Sequence, residues 1–409
     1  MQARQLKGLE IATNQAITQE GGVWLVPSQS SSKTYTVNLY IQTCTCPDFE
    51  ANRTKCKHIH AALFALQHDS GEALPLAEPE KKARPTYKQE WREYTLAQVN
   101  EKAKFLELLY ALCEKLEEPL QHMGRPRVPL ADRIFACCFK IYSTLSGRRF
   151  MSDLMEAKRR GFVGMMPTYS AMSRYFESEE LTPILKELII ESSLPLKSVE
   201  GDFAVDSSGF STGIYQKWSD AKWGKVRESY GSTDHVNIKD WLKVHLMCGC
   251  KTNIVTSVEI TDAHAGDSPQ FKPLVNTTAE NFTMNTVCAD KAYSSNNNLK
   301  LVLVKGAQPY IDFKSNSNAT RKDKRQSSVW KRMFHLYQYN QEWFMQHYHK
   351  RSNVETTFSM IKRKFGERLR SKTHTAQVNE VLCKILAHNL CCVIQSMYEL
   401  GIDVDFARE

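Results

Sequence analysis

Tyr348, Arg351, Glu355 and Lys362 are separated by two, three and six residues inside the basic stretch YHKRSNVETTFSMIKRKF. A carboxylate on a positive helix has two uses. It can pair with a cation one turn away, and Arg351 stands four residues before Glu355. It can also sit beside a polyanion and hold a divalent cation there. Two more acids bear on the choice. Asp206 closes the apolar run of FAVDSSGF, where Ser207, Ser208 and Gly209 leave room beside the backbone, and Asp290 follows the apolar run of NTVCADKAYSS. Alone, a strand-end Asp is more often a turn cap. Together, two carboxylates at strand ends and a third on a covering helix make an oxygen-only set suited to a hard cation such as Mg2+.

A second cluster is of softer ligands. CTCPDFEANRTKCKH places Cys44, Cys46, Cys56 and His58 in a C-x-C-x9-C-x-H array. Three thiolates and an imidazole form a tetrahedral zinc set, and four protein ligands leave no open position for a substrate. His60 is a spare imidazole two residues on; His58 is preferred because it keeps the Cys-x-His step. The spacing resembles the SWIM zinc finger over about residues 35–67, with KHIHAALFAL as its closing helix. CGC at 248–250 ends an apolar strand with no second pair nearby and reads as a buried turn.

The chain that must position these groups has 409 residues, 42% of them hydrophobic, which suffices for two or three domains. The formal net charge of +9 suits a polyanionic partner. MQARQLKGLEIATNQ lacks the apolar core of a secretory signal, and no apolar run approaches the roughly 20 residues of a membrane span. The expected setting is a reducing cytoplasm, on the nucleoid and with no membrane partner, so the twelve cysteines read as metal ligands or buried thiols.

Alternation at Tyr35, Val37, Leu39 and Ile41 predicts a half-buried strand feeding the first cysteine pair. Residues 1–68 are thus expected as a small ββα-like zinc module. The Pro-, Glu- and Lys-rich stretch within 69–95 reads as a linker. From 96 to 198 the i, i+3, i+4 recurrence predicts an all-α region, whose helices around RRFMSDLMEAKRRGF and PTYSAMSRYFESEEL would fit a helix-turn-helix-like DNA-binding unit. From 199 to 398, three strands (GDFAVDSS, WLKVHLMCGC, IVTSVEIT) precede alternating helices and strands, and 399–409 is a tail. That order predicts an α/β domain, a mixed sheet flanked by helices. The stretch around Glu355 reads as one long basic helix, and VNEVLCKILAHNLCCVIQSMYEL as a closing one.

Strand order and acids together resemble the ribonuclease-H-like catalytic core of DDE transposases of bacterial and archaeal insertion sequences. One branch of that group carries a Tyr-Arg-Glu-Lys signature with the spacing of Tyr348, Arg351, Glu355 and Lys362, while VDSSGF and ADKAYSS match its first and second acid segments. The resemblance implies that Asp206, Asp290 and Glu355 hold two Mg2+ ions, replaceable by Mn2+, and that the zinc is single and structural. It implies DNA cleavage at element ends followed by attack of the 3′ hydroxyl on target DNA. Terminal inverted repeats and target DNA are then the partners, with a homodimer in the DNA complex. Tyr348, Arg351 and Lys362 are expected on phosphates of the element end.

Weaker DNA-contact candidates are Arg125 and Arg127 in GRPR, which resembles an AT-hook core and equally reads as a helix break, and the run RKDKRQSSVWKR at 321–332. Trp330 in that run reads as a packing residue or a base-stacking one. His264 and Asp267 are candidates for supporting positions near the acids. A transposase-derived DNA-binding regulator and a hydrolytic DNA nuclease would carry the same residues.

Overall fold

The computed structural model describes residues 3–29, 33–70, 90–121, 123–124, 126–212, 241–314, 316–317 and 327–406. Two compact units divide the chain, Met1–Lys88 and Gln89–Glu409.

In the first unit, α1 (Ala3–Asn14) precedes strands β1 (Thr18–Glu20), β2 (Val23–Pro27), β3 (Thr34–Asn38) and β4 (Thr43–Cys44), which form an antiparallel sheet in that order. Helices α2 (Pro47–Asn52) and α3 (Lys57–Asp69) follow. The strand predicted through Ile41 stops at Asn38. There the Asn38 side-chain oxygen accepts the N–H groups of Tyr40 and Ile41, turning the chain and leaving both side chains exposed. Ile11, Trp24, Val26, Val37 and Ile59 form the small core with the cysteines. Helix α1 lies tightly on α3, and a Cβ at Gly8 would stand 2.6 Å from that of His60.

The second unit opens with five helices: α4 (Trp91–Glu114), α5 (Leu130–Ser143), α6 (Gly147–Arg159), α7 (Tyr169–Phe176) and α8 (Leu181–Ser193). Helix α7 starts where Thr168 Oγ1 accepts the Ala171 N–H, a side-chain cap. Strands β5 (Asp202–Ser211), β6 (Trp241–Gly249) and β7 (Val255–Asp262) come next. Then follow α9 (Ser268–Asn281), β8 (Thr286–Ala289), α10 (Asn296–Val304) and β9 (Gln308–Ile311). The unit closes with α11 (Ser328–Tyr339), α12 (Gln341–Tyr348), α13 (Ser352–Phe365) and α14 (His374–Leu400).

The sheet order is β7-β6-β5-β8-β9, with β5–β6 and β6–β7 antiparallel and β5–β8 and β8–β9 parallel. This is the mixed sheet of a ribonuclease-H-like core. The β6–β7 turn needs Gly249, since a Cβ there would fall within 2.6 Å of the Glu200 side chain. Glu200 in turn accepts the Lys251 and Thr252 N–H groups and so holds the turn closed.

Helices α4–α8 share one apolar core with the sheet and with α13 and α14: Phe105, Phe135, Phe139, Leu185, Val244, Phe358 and Leu386 belong to the same cluster. By length and composition α14 is apolar enough to cross a bilayer, but 78% of its most apolar window is buried in the fold. It is the central helix of the unit. It also carries an ion pair, Glu380–Lys384 at 3.2 Å, with side chains 4% and 1% exposed. Lys384 Nζ donates to the carbonyls of Gly366 and Arg368, both at 2.9 Å, and Glu380 accepts the N–H groups of Arg370 and Ser371. The pair thereby fixes the loop that follows α13.

Candidate active site and zinc centre

Asp206 occupies the middle of β5, and Asp290 follows the last residue of β8. Val205 pairs with Ala289 across the parallel ladder, so the two acids take the next positions on neighbouring strands, which lie about 4.8 Å apart. The Asp206 carboxylate accepts its neighbour Ser207 N–H at 2.8 Å, and the Asp290 carboxylate caps the 3-10 turn Lys291–Tyr293 through the Lys291 N–H at 2.7 Å. Burial pushes the Asp206 carboxyl up to about 6; the charges of Asp290 and Glu355 act in the same direction, while the Ser207 N–H and Arg351 oppose them.

Glu355 lies in the first turn of α13, a helix anchored by Val354, Phe358 and Ile361 in the core. Thr357 Oγ1 contacts Asn253 Oδ1 at 3.3 Å in the β6–β7 turn, and His388 Nε2 of α14 donates to the Asn253 carbonyl at 2.9 Å. One turn thus registers both helices against the sheet.

The long basic helix expected here is broken. It ends at Tyr348, tightens into a 3-10 turn at His349–Arg351 and resumes at Ser352. Cysteines at the strand ends draw off two carbonyls: Cys288 Sγ lies 3.3 Å from the His347 oxygen and Cys250 Sγ 3.7 Å from that of Lys350. The tightened turn sends Lys350 Nζ to Asp202 at 2.6 Å. It sends Arg351 between two of the acids, with Nη1 2.9 Å from Asp206 Oδ2 and Nη2 2.7 Å from Glu355 Oε1. The i, i+4 pairing of Arg351 with Glu355 and the clustering of acids therefore coexist.

Tyr348 lies with its ring 5.8 Å from the Arg351 guanidinium carbon, and burial pushes its hydroxyl up to about 12. Lys362 reaches back to β5, donating to Ser208 Oγ at 3.0 Å and to the Gly209 carbonyl at 2.7 Å. A cleft of about 420 Å3 opens here, lined by Ser208, Glu355, Phe358, Ser359, Lys362, Arg363 and Glu367.

Asp267 stands on the neighbouring strand-end loop. Its Oδ1 accepts Ser207 Oγ at 2.7 Å and pairs with Lys243 Nζ at 2.8 Å, while His245 Nδ1 lies 3.5 Å away. Burial pulls His245 down to about 4, so it is neutral at pH 7. Lys243 and His245 escaped the sequence reading. Their signal was two basic residues, alternating on one face, inside the otherwise apolar strand WLKVHLMCG. His264 packs its ring edge-on 5.7 Å from that of Trp241. Asp202 gave no signal beyond its place at the strand start.

Trp330 packs edge-on against Phe313 at 5.1 Å, the packing role. Cys248 is buried near the end of β6, and Cys250 is half-buried in the turn. Arg125 and residues 321–326 lie outside the described residues. Arg127 is exposed, and its N–H donates to Gln121 Oε1 at 3.1 Å, which bends the segment between α4 and α5.

In the first unit the ligand atoms of Cys44, Cys46, Cys56 and His58 all lie within 4.8 Å of one another, and all four residues are buried. Cys46 and Cys56 are the N-caps of α2 and α3, and Cys46 Sγ accepts the Phe49 N–H at 3.4 Å. Helix N-termini favour thiolates. Close contact between Cys44 and Cys56 pushes the first thiol up and pulls the second down to about 4, helped by His58. His58 Nε2 is buried without a partner atom, as a ligand nitrogen would be before its metal binds. These residues fit zinc. His60 is outside this set, and its Cβ lies against Gly8 of α1.

Residues 197–390 match the family model described as a transposase DDE domain. Residues 35–67 match the model of the SWIM zinc finger. Among curated proteins the chain is 25% identical over 274 residues to the probable transposase for insertion sequence element ISA1214 of Archaeoglobus fulgidus, covering 67% of this chain and 78% of that one. Among solved structures, a piggyBac transposase synaptic complex with hairpin DNA covers 80% of both chains at 12% identity, with a TM-score of 0.35.

Proposed function

We propose that this protein is a DNA transposase that cleaves the ends of its element and joins the freed 3′ hydroxyl to target DNA, with Asp206, Asp290 and Glu355 as its metal-holding acids. The observation that carries this reading is the convergence of Asp206 of β5 and Glu355 of α13 on a single guanidinium, with Asp290 at the next strand position close enough for its charge to act on Asp206. An oxygen-only donor set that already attracts a cation fits Mg2+ or Mn2+. Two such ions, when bound, stabilise charge on the entering and leaving oxygens of phosphoryl transfer.

The protein's own side chains do the rest. Asp206, Asp290 and Glu355 would hold the ions through their carboxylate oxygens. Lys362, anchored on β5 at Gly209, keeps a positive charge at the cleft beside Glu355. Arg351 and Tyr348 supply donors for phosphates of the element end, and the basic residues along α13 attract the duplex by counterion release. Arg127, together with Arg125, adds backbone contacts. Helices α6 and α7 act as a DNA-contacting pair, the zinc module as a docking element, and two protomers pair the two ends on nucleoid DNA in the cytoplasm.

The test uses purified protein, Mg2+ and labelled DNA carrying the sequences that flank its gene. Expected are 3′-end nicking and joining to a plasmid, both lost in Glu355→Gln while DNA binding persists. Normal cleavage by that variant would overturn the site assignment. Nicking without joining would identify a nuclease, and tight binding without cleavage a regulator.

A further inference from the structure

We infer that Arg351 couples the metal site to DNA: in the DNA-free chain its guanidinium occupies the space between Asp206 and Glu355, and a backbone phosphate must draw it off before these carboxylates close on a divalent cation. The inference rests on the metal-holding role proposed above and adds an order of binding to it.

Three observations lead there. First, the guanidinium makes a charge-assisted bond to each acid, at 2.9 and 2.7 Å, and its side chain is only 21% exposed. Second, the guanidinium spans the gap between the two acids, its Nη1 turned to Asp206 Oδ2 and its Nη2 to Glu355 Oε1. A guanidinium between two carboxylates satisfies their charge at a wider separation than a shared ion requires. Third, the neighbouring cations are directed elsewhere. Lys350 pairs with Asp202, and Lys362 with Ser208 and the Gly209 carbonyl, so Arg351 is the cation bonded to both Asp206 and Glu355.

The planar fork of arginine binds a phosphate as well as a carboxylate, so the exchange of partners keeps its hydrogen bonds while freeing both acids. Arg351 sits in the 3-10 turn between two helices, and its ring neighbour Tyr348 lies on the same turn. A phosphate arriving there meets the guanidinium first. Binding energies then become linked: DNA tightens the metal, and the metal tightens DNA by the same factor.

The experiment measures Mn2+ affinity of the full-length, zinc-loaded protein by isothermal titration calorimetry. Each protein is titrated with and without a duplex of the gene-flanking sequence. The expected result for the native chain is weak Mn2+ binding that tightens on roughly the 5–150-fold scale of allosteric coupling when the duplex is present. Arg351→Ala should bind Mn2+ more tightly than the native chain without DNA, and the duplex should add little further. Equal or weaker Mn2+ binding by Arg351→Ala without DNA, or an undiminished effect of the duplex, would overturn the coupling. Arg351→Lys retains the charge but not the fork. It should keep part of the block and lose most of the DNA effect, whereas behaviour like the native chain would show that charge alone matters and refute the exchange. Glu355→Gln separates the two levels: if it binds Mn2+ like the native chain, the metal-site reading itself is wrong, independently of Arg351.

Discussion

Replacing Lys384 by methionine tests whether the buried pair in α14 holds the loop behind the proposed site. The side chain is 1% exposed and makes three contacts, to Glu380 at 3.2 Å and to the Gly366 and Arg368 carbonyls at 2.9 Å. Burial pulls the lysine pKa down while Glu380 opposes it, so the pair is already under a desolvation penalty. Methionine fills nearly the same volume, which leaves little cavity cost. It also leaves the Glu380 charge buried without its cation. Breaking a buried pair in this way costs about 3–5 kcal/mol. At about 1.5 °C per kcal/mol for a unit of this size, the melting point should fall by roughly 4–8 °C.

Differential scanning calorimetry would resolve the transition of the Gln89–Glu409 unit. Pairing Lys384→Met with Glu380→Gln should recover most of the loss, since the amide oxygen can still accept the Arg370 and Ser371 N–H groups without a net charge. Leu369 donates its N–H to the Ser211 carbonyl of β5, so the same loop ties α13 to the strand that bears Asp206. DNA cleavage by the single variant should therefore decline at temperatures below its own melting point. A single variant within about 1 kcal/mol of the native chain, or no recovery in the double variant, would refute the reasoning.

Two further outcomes are expected. Chelation, or Cys56→Ser, should make the Met1–Lys88 unit susceptible to proteolysis and release zinc measurable with a chromophoric chelator, because a core this small draws its stability from the metal. His388 is held neutral by burial, its pKa pulled down to about 4, with Cys392 Sγ 3.4 Å from Nε2. Its unfolded value near 6.5 means that the unfolded chain binds the proton first as pH falls. The stability it supports is complete above about pH 6.5 and declines toward pH 4, by about 2 kcal/mol at pH 5. Urea titrations at pH 7 and pH 5 should show that loss, and His388→Gln should flatten the difference.

What could be read in the sequence was what is local. The zinc ligands fall within fifteen residues, and Cys46 and Cys56 each cap the start of a helix, so spacing alone brought out all four. The strands of the mixed sheet were legible because β5, β6 and β7 are buried over most of their length and read as apolar runs with turns between. Asp206 and Asp290 stood out as acids at the ends of such runs. Their relation to Glu355 was visible only through resemblance, because no local pattern links residues so far apart.

Tertiary structure decided the remainder. Helical periodicity ran straight through His349–Arg351, yet the thiols of Cys250 and Cys288, distant in sequence, meet carbonyls of this segment and the turn tightens. That change aims Arg351 at Asp206 as well as at Glu355. The amphipathic helices between 91 and 193 show an apolar stripe in the sequence but not what covers it, and packing places them in one core with the sheet. Lys243, His245 and Asp267 meet because adjacent strands and a following loop bring their polar ends together, a consequence of register. The sequence by itself determined which groups could do chemistry, since ligand type and short-range spacing are covalent facts. Which charge faces which was settled by long-range packing, because an ion pair between residues 206 and 351 exists only once the sheet and its covering helix are in place.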